Sequence, residues 1–168
     1  MPHSSPGPAE LPLDEQAMLS VRQAAGAAGQ DPLRPVYHFR PPAQWSNDPN
    51  GTIFHDGWYH LFYQHNPYDA VWGRLHWGHA RSRDLVHWEH LPVAFTPSLE
   101  QGEEHCWSGC TVINKAGQPM IFYTSIGPQK PDLDGAEQWA ALGSPDLVRW
   151  TKHPENPILT DRVNVEVK

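Results

Sequence analysis

The chain reads WSNDPNGTIFHDGWYHLFYQ from residue 45 to residue 64. The second half of this stretch predicts a β-hairpin, because runs rich in aromatic and β-branched residues flank Asp56-Gly57, a pair typical of two-residue turns. Further along, short apolar runs separated by turn residues predict strands over residues 75–80, 111–114, 120–124 and 138–142. The fold class expected from this pattern is all-β.

The first half of the same stretch presents one carboxylate, Asp48, between amide side chains and a tryptophan. Pro49 biases Asp48 toward an extended backbone, and Asn50-Gly51 favours a tight turn with positive φ. We therefore expect Asp48 on a stiff corner at the entrance of a strand, where a nucleophile would be held in place. Carboxylate, amide and indole groups are also those with which proteins grip a sugar. An ordinary turn aspartate is the alternative, since the same residues are good turn formers.

The composition narrows the classes of protein to which the chain can belong. Its 12 Lys and Arg against 19 Asp and Glu give a net charge of −7, which argues against nucleic acid as a partner. No run approaches the roughly 20 apolar residues of a membrane span, so no membrane partner is expected. The 18 Pro and 13 Gly indicate many turns, and the 8 Trp supply either core or stacking platforms for sugar rings.

Residues 1–35 differ in composition from the rest and predict an irregular N-terminal tail, disordered or weakly helical, with at most a marginal helix over residues 13–28. The first residues lack the basic start and apolar core of a secretory signal. Cys106 and Cys110 would lie about 13 Å apart on an extended segment, too far for a disulfide. Free thiols favour a cytoplasmic, reducing compartment, although localisation and oligomeric state stay open.

An internal repeat links two parts of the aromatic region. SRDLVHW at residues 82–88 recurs as SPDLVRW at residues 144–150, an offset of 62 residues with five of seven positions identical. A repeat of this size built from short strands favours propeller blades over a sandwich. Residues 36–168 suffice for about two blades, whereas propellers close with about four to eight. We therefore expect an incomplete propeller from a longer protein, with a last strand at residues 163–167.

Several motifs, in their order and spacing, resemble glycoside hydrolase family 32, which includes invertases (β-fructofuranosidases), sucrose-6-phosphate hydrolases, inulinases and levanases. The motifs are WSNDPNG at 45–51, FYQHNP at 62–67, WG at 72–73, HWGHA at 76–80, DLVHW at 84–88 and WSG at 107–109. The resemblance extends from about Tyr37 to about Pro157. It implies a five-bladed β-propeller with a central funnel-shaped pocket, followed by a β-sandwich domain.

The resemblance also implies an activity, namely retaining hydrolysis of a small-molecule substrate, sucrose or a fructo-oligosaccharide, without a cofactor or metal. Asp48 would be the catalytic nucleophile that forms a fructosyl-enzyme intermediate. The implied substrate-binding residues are Trp45, Asn47, Gln64, Trp72 and Ser108. Four of them would hold the fructose hydroxyls, and Trp45 would support the same wall of the pocket.

The chain departs from the family pattern at several places. Ser46 replaces the usual methionine, and Cys110 stands where a small serine is common. The family's Arg-Asp-Pro motif, with its second aspartate, and its Glu-Cys motif, with the acid/base glutamate, have no counterpart in this sequence and would be expected after residue 168. General acid catalysis contributes roughly 10²–10⁴-fold, so the 168 residues alone are expected to be inactive.

Other interpretations of single residues stay open. Gln64 can be a strand-end amide and Ser108 a turn cap, while Trp77, Trp88 and Trp150 are better explained by packing. Two further pairs of polar residues are not assigned to the site. His76 and His79 would point to opposite faces of a strand, so no metal site is expected. Glu103 and Glu104 are expected in a solvated loop.

Two alternatives to the fructoside hydrolase remain. One is a non-catalytic truncated product or carbohydrate-binding propeller fragment that keeps part of a sugar-binding wall. The other is a related propeller glycosidase that acts on arabinose-containing polymers, which the WSNDPNG and FYQHNP motifs disfavour.

Overall fold

The computed structural model describes residues 11–127 and 136–159, which form one α-helix, a short 3₁₀ helix at Leu99–Gln101 and two four-stranded antiparallel sheets. The elements are α1 (Leu13–Gln30), β1 (Trp45–His55), β2 (Trp58–Asn66), β3 (His76–Ser82), β4 (Trp88–Phe95), β5 (His105–Ile113), β6 (Pro119–Ile126), β7 (Glu137–Gly143) and β8 (Trp150–Lys152). In each sheet the strands are neighbours in chain order, β1 to β4 and β5 to β8. This is the arrangement of two propeller blades, so the predicted all-β fold is confirmed. The strand expected at residues 163–167 lies outside the described residues.

The predicted hairpin is present, with Asp56 at φ 47° and Gly57 at φ 78° between β1 and β2. The start of β1 differs from the prediction, because the strand already begins at Trp45 and pairs with β2 at Trp45, Ser46, Pro49 and Asn50. The expected tight turn at Asn50-Gly51 is therefore wrong. Register shifts occur instead between Ser46 and Pro49 and between Asn50 and Ile53, and Gly51 keeps its positive φ of 48° within the strand.

The sequence repeat forms the same turn at the same place in both blades, between the third and fourth strands. Asp84 accepts the backbone N–H of Val86 at 2.9 Å, and Asp146 accepts that of Val148 at 3.2 Å. The leucine that follows each aspartate is left-handed, with φ of 63° and 60°. The local chemistry of the repeat therefore sets the third turn of each blade.

The hydrophobic core lies between the two blades and is mainly aromatic. Trp77 of β3 stacks on Phe95 of β4 with ring centroids 5.2 Å apart, and Phe95 meets Tyr123 of β6 at 4.8 Å. Trp77 is fully buried and Trp139 of β7 nearly so. Trp77 is thus a packing residue, as expected, and it holds the two sheets face to face.

The segment between the blades contains a buried ion pair, and here the prediction of a solvated loop was wrong for Glu103. The Glu103 side chain is fully buried, and its Oε2 accepts hydrogen bonds from Lys152 Nζ and from the Ser98 backbone N–H. Lys152 also donates to Ser98 Oγ at 2.9 Å and lies 5.3 Å from the Trp139 ring centroid. This pair ties the connection between the blades to the last strand of the second blade.

The tail contains more regular structure than the sequence indicates. Helix α1 spans Leu13–Gln30 and contacts β4, and its residues Ala17 and Val21 are buried. Helix propensity alone would leave this segment marginally stable, and tertiary packing of its short apolar stripe stabilises the helix. Among the described residues, no helix is long and apolar enough to cross a membrane.

Four buried histidines predict a loss of stability in mild acid. Burial lowers the pKa of His60 and His65 to about 4 and that of His76 to about 3, and it lowers the pKa of His79 well below 6.5. The unfolded chain binds these protons near pH 6.5, so stability should decline as pH falls from about 6.5 toward 4. Thermal melts of the full-length protein across this range measure the slope.

A double variant isolates the His60–His79 pair, whose Nδ1 and Nε2 atoms lie 3.0 Å apart. In His60→Asn/His79→Gln, amide groups replace the two ring nitrogens without titrating, so the acid-dependent decline should become shallower. His38→Asn, at an exposed left-handed position, is the matched control and should leave the slope unchanged. An equal slope in the double variant and wild type would contradict this interpretation.

Candidate functional site

Asp48 and two of its predicted partners form a chain of hydrogen bonds. Ser108 Oγ donates to Asp48 Oδ2 at 2.8 Å, and Gln64 Nε2 donates to Ser108 Oγ at 3.1 Å. The Asp48 side chain is exposed, whereas Gln64 is only 5% exposed. The three residues come from β1, β2 and β5, so the group forms only when the first strands of both blades lie side by side.

A glycine on β1 allows β1 and β5 to approach closely enough for this contact. A Cβ atom on Gly51 would lie 2.3 Å from Thr111 Oγ1 and 3.2 Å from the Thr111 backbone nitrogen. The backbone just before Ser108 is fixed from the first blade, because Trp77 Nε1 donates to the Trp107 carbonyl at 3.0 Å. The position of Ser108 therefore follows from backbone packing between the blades.

Trp45 is fixed mainly through its backbone. Its N–H donates to the carbonyl of Asp69 at 2.9 Å, and its carbonyl lies 2.8 Å from His65 Nδ1. The indole is half-buried at the start of β1, on the same strand as Asp48. Asn47 lies beside Asp48 and is exposed. The site residues predicted on β1 are therefore together at one end of the first sheet.

Trp72 lies in the loop between β2 and β3 and is 57% exposed. Its ring stacks on His105 of β5, with centroids 5.1 Å apart and planes at 27°. Asn66 shapes the same loop, since its Nδ2 donates to the Val71 carbonyl at 2.9 Å and its Oδ1 accepts the Tyr68 N–H at 3.1 Å. Sequence reasoning missed both His105 and Asn66. The FYQHNP motif already contains Asn66, but no signal in the sequence pairs His105 with Trp72.

The other chemistry considered from the sequence adds little to the site. Within residues 11–127 and 136–159, no three His, Cys, Asp or Glu side chains converge as metal ligands would. Cys106 and Cys110 are both free, the first buried and the second exposed. Burial raises the pKa of the Cys106 thiol well above its usual range, which keeps it protonated at neutral pH. The arrangement thus offers an exposed carboxylate that is held by a hydroxyl, beside the exposed amide of Asn47.

Comparison with known proteins gives consistent results. The glycosyl hydrolases family 32 N-terminal domain matches residues 38–167. An insoluble β-fructofuranosidase isoenzyme from Arabidopsis thaliana is 45% identical over 130 residues, 77% of this chain and 22% of that protein. The acid β-fructofuranosidase of Solanum lycopersicum is 42% identical over 135 residues, 80% of this chain and 21% of that protein. The chain therefore spans about a fifth of the length of these relatives.

Solved structures match the same region. The GH32 β-fructofuranosidase BmSUC1 from Bombyx mori superimposes with a TM-score of 0.77 at 36% identity, covering 90% of this chain and 31% of that one. Fructan 1-exohydrolase IIa from Cichorium intybus gives a TM-score of 0.66 at 43% identity, covering 74% of this chain and 23% of that one. Since sequence and structure agree over most of its length, the chain belongs to glycosyl hydrolase family 32, through the N-terminal domain of that family.

Proposed function

We propose that the protein is a retaining fructoside hydrolase of the β-fructofuranosidase type, with Asp48 as its nucleophile. The observation that carries this proposal is the exposed Asp48 carboxylate on the first strand of one blade, hydrogen-bonded by Ser108 from the first strand of the next. An exposed carboxylate at such a junction can reach a substrate, while the hydroxyl orients one of its oxygens and leaves the other free to attack.

The proposed reaction proceeds in two steps. Asp48 attacks the anomeric carbon of the fructosyl unit while a carboxylic acid protonates the departing oxygen, and water then cleaves the fructosyl ester. Retaining glycosidases place the two carboxyl groups about 5–5.5 Å apart. In this proposal the proton donor and the second aspartate come from outside the 168 residues, because the sequence contains neither the Glu-Cys nor the Arg-Asp-Pro motif.

The proposed substrates are sucrose and short fructans. Among the similar structures, a mutant of the Bombyx mori enzyme is in complex with sucrose, and a variant of the Cichorium intybus enzyme is in complex with 1-kestose. In this chain, Gln64 and Asn47 offer amides for sugar hydroxyls, and Trp45 and Trp72 offer ring faces for the apolar side of a sugar. A small-molecule sugar is accordingly the proposed partner.

Trapping the covalent intermediate tests this proposal most directly. The full-length protein is mixed with sucrose, quenched in acid within the first turnovers, digested and analysed by mass spectrometry. We expect the peptide that contains Asp48 to gain the mass of one fructosyl group, and the gain to disappear in Asp48→Asn. A fructosyl group on another carboxylate, or turnover without any adduct under conditions that accumulate one, would reject Asp48 as the nucleophile.

Ser108→Ala is expected to lower kcat/KM by roughly 10- to 100-fold, since hydrogen bonds to charged groups contribute about 1.5–3 kcal/mol. The substitution removes the donor to Asp48 and leaves the Gln64 amide without its acceptor. Ser108→Thr keeps the hydroxyl and is the matched control, expected to stay near wild type. Steady-state kinetics on sucrose measure both. Equal losses in the two variants would point to packing rather than to the hydroxyl.

The non-catalytic alternative applies to the 168 residues by themselves. We expect this chain, expressed alone, to show no sucrose hydrolysis, because Asp48 would have no proton donor, and to be poorly soluble, because open strand edges invite association. Assay of the purified chain measures this, and robust turnover would contradict the expectation.

A further inference from the structure

We propose that His105 is a positioning residue that holds Trp72 in place as a sugar-stacking platform. In this proposal, His105 on β5, the first strand of the second blade, fixes the loop between β2 and β3 of the first blade. The inference rests on the proposed function, because it takes Trp72 as part of the substrate-binding wall. His105 lies on β5, the same strand that brings Ser108 to Asp48. One strand would then orient both the nucleophile and the aromatic wall.

The first observation is the stack itself. The His105 ring lies almost parallel to the Trp72 ring at a centroid distance of 5.1 Å, which covers one face of the indole. Trp72 is nevertheless 57% exposed. An exposed tryptophan with one face backed by a ring keeps its other face available, and the backing restricts the rotamers that the indole can adopt.

The second observation is that His105 also holds the backbone that follows Trp72. The Leu75 N–H donates to His105 Nδ1 at 3.3 Å, and the Leu75 carbonyl accepts the Cys106 N–H at 3.0 Å. Leu75 is 2% exposed, so both polar groups of its backbone are satisfied by neighbouring residues of β5. Because Nδ1 accepts a hydrogen bond, the proton of the neutral ring is on Nε2.

The two ends of the loop between β2 and β3 are held by different residues. Within the first blade, Asn66 bonds the start of the loop through Tyr68 and Val71. Beyond Val71, the loop contacts β5 through the His105 ring and the Cys106 backbone. Asn66 also packs closely against Gly73, and the Arg74 carbonyl lies 3.1 Å from His76 Nδ1. Removing the imidazole should therefore loosen the segment that carries Trp72 while leaving the Asn66 end in place.

Two substitutions separate the stack from the hydrogen bond. His105→Phe keeps a flat ring against Trp72 but lacks an acceptor for Leu75, whereas His105→Asn keeps an acceptor near the position of Nδ1 but lacks the ring. His105→Ala removes both. His153→Ala is the matched control, because His153 Nδ1 also accepts a backbone N–H, that of Glu155 at 3.2 Å, in a turn after β8.

The readouts are sucrose kinetics and hydrogen exchange of the peptide over residues 67–76 in the full-length protein. We expect His105→Ala to raise KM about 2- to 10-fold with kcat nearly unchanged, in keeping with the loss of one aromatic pair, and to speed exchange. His105→Asn should raise KM with slower exchange than His105→Ala. His105→Phe should keep KM near wild type with faster exchange. The control should change neither readout.

A double variant shows whether His105 acts through Trp72. Once Trp72→Ala has raised KM, adding His105→Ala should raise it no further. Additive effects, or an unchanged KM and unchanged exchange in His105→Ala, would overturn the inference. The proposed function is judged separately by Asp48→Asn. If that variant retains activity, the reaction assignment fails, while the exchange data still decide whether His105 fastens the loop.

Discussion

Asp48→Asn in the full-length protein is expected to lower kcat on sucrose by about 10⁴-fold or more, because the amide cannot form the fructosyl ester. Its effect on stability should be small. The Asp48 side chain is exposed, and in the wild-type chain Ser108 Oγ donates to Asp48 Oδ2 at 2.8 Å. The side-chain oxygen of the introduced asparagine can still accept this hydrogen bond. Steady-state kinetics and thermal melts of the same preparation check both halves of the prediction.

The matched control is Asp56→Asn, at the turn that ends the same strand. Asp56 has φ 47°, a left-handed conformation that asparagine adopts readily. This variant should keep full activity and the wild-type melting temperature. If Asp48→Asn retains activity within about tenfold of wild type, the nucleophile assignment is rejected. A large fall in its melting temperature would instead show that Asp48 has a structural role.

Lys152→Ala is expected to destabilise the protein by about 3–5 kcal/mol, because it leaves the buried Glu103 carboxylate without its partner. Lys152 also lies against the rings of Phe95, Tyr123 and Trp139, so the loss includes packing of the ammonium on the aromatic core. Thermal and denaturant melts of the full-length protein measure the effect. The loss of stability should exceed the loss caused by substituting an exposed lysine.

Two further variants separate charge from packing. Lys115→Ala, in the exposed turn between β5 and β6, is the control and should leave stability nearly unchanged. Glu103→Gln/Lys152→Met removes both charges and should recover much of the loss, since replacing a buried pair by neutral groups is often close to neutral. A wild-type melting temperature in Lys152→Ala would contradict a stabilising role for the ion pair.

Part of the fold could be predicted because its causes are local. The hairpin follows from Asp56-Gly57, whose backbone preference fixes a two-residue turn. Where prediction failed, a longer-range contact decided the outcome. Pairing with β2 extends β1 back to Trp45 in place of a turn at Asn50-Gly51, and burial between the blades places Glu103 in the core.

The candidate site divides in the same way. The motifs pointed to Asp48, Gln64 and Ser108 as single residues, but only the structure joins them, since Ser108 reaches Asp48 across 60 residues of chain. The same holds for His105 and Trp72, whose ring contact depends on where the loop after β2 meets the next blade.

By itself, the sequence determined the Asp56-Gly57 hairpin turn, the strand alternation and the blade repeat, because dihedral preferences and side-chain hydrogen bonds act within a few residues. Tertiary structure alone decided which strand ends meet, which positions leave no room for a side chain larger than glycine, and which charged side chain is buried. These depend on the approach of β1 to β5 and of β4 to β8, where packing between blades outweighs local preference.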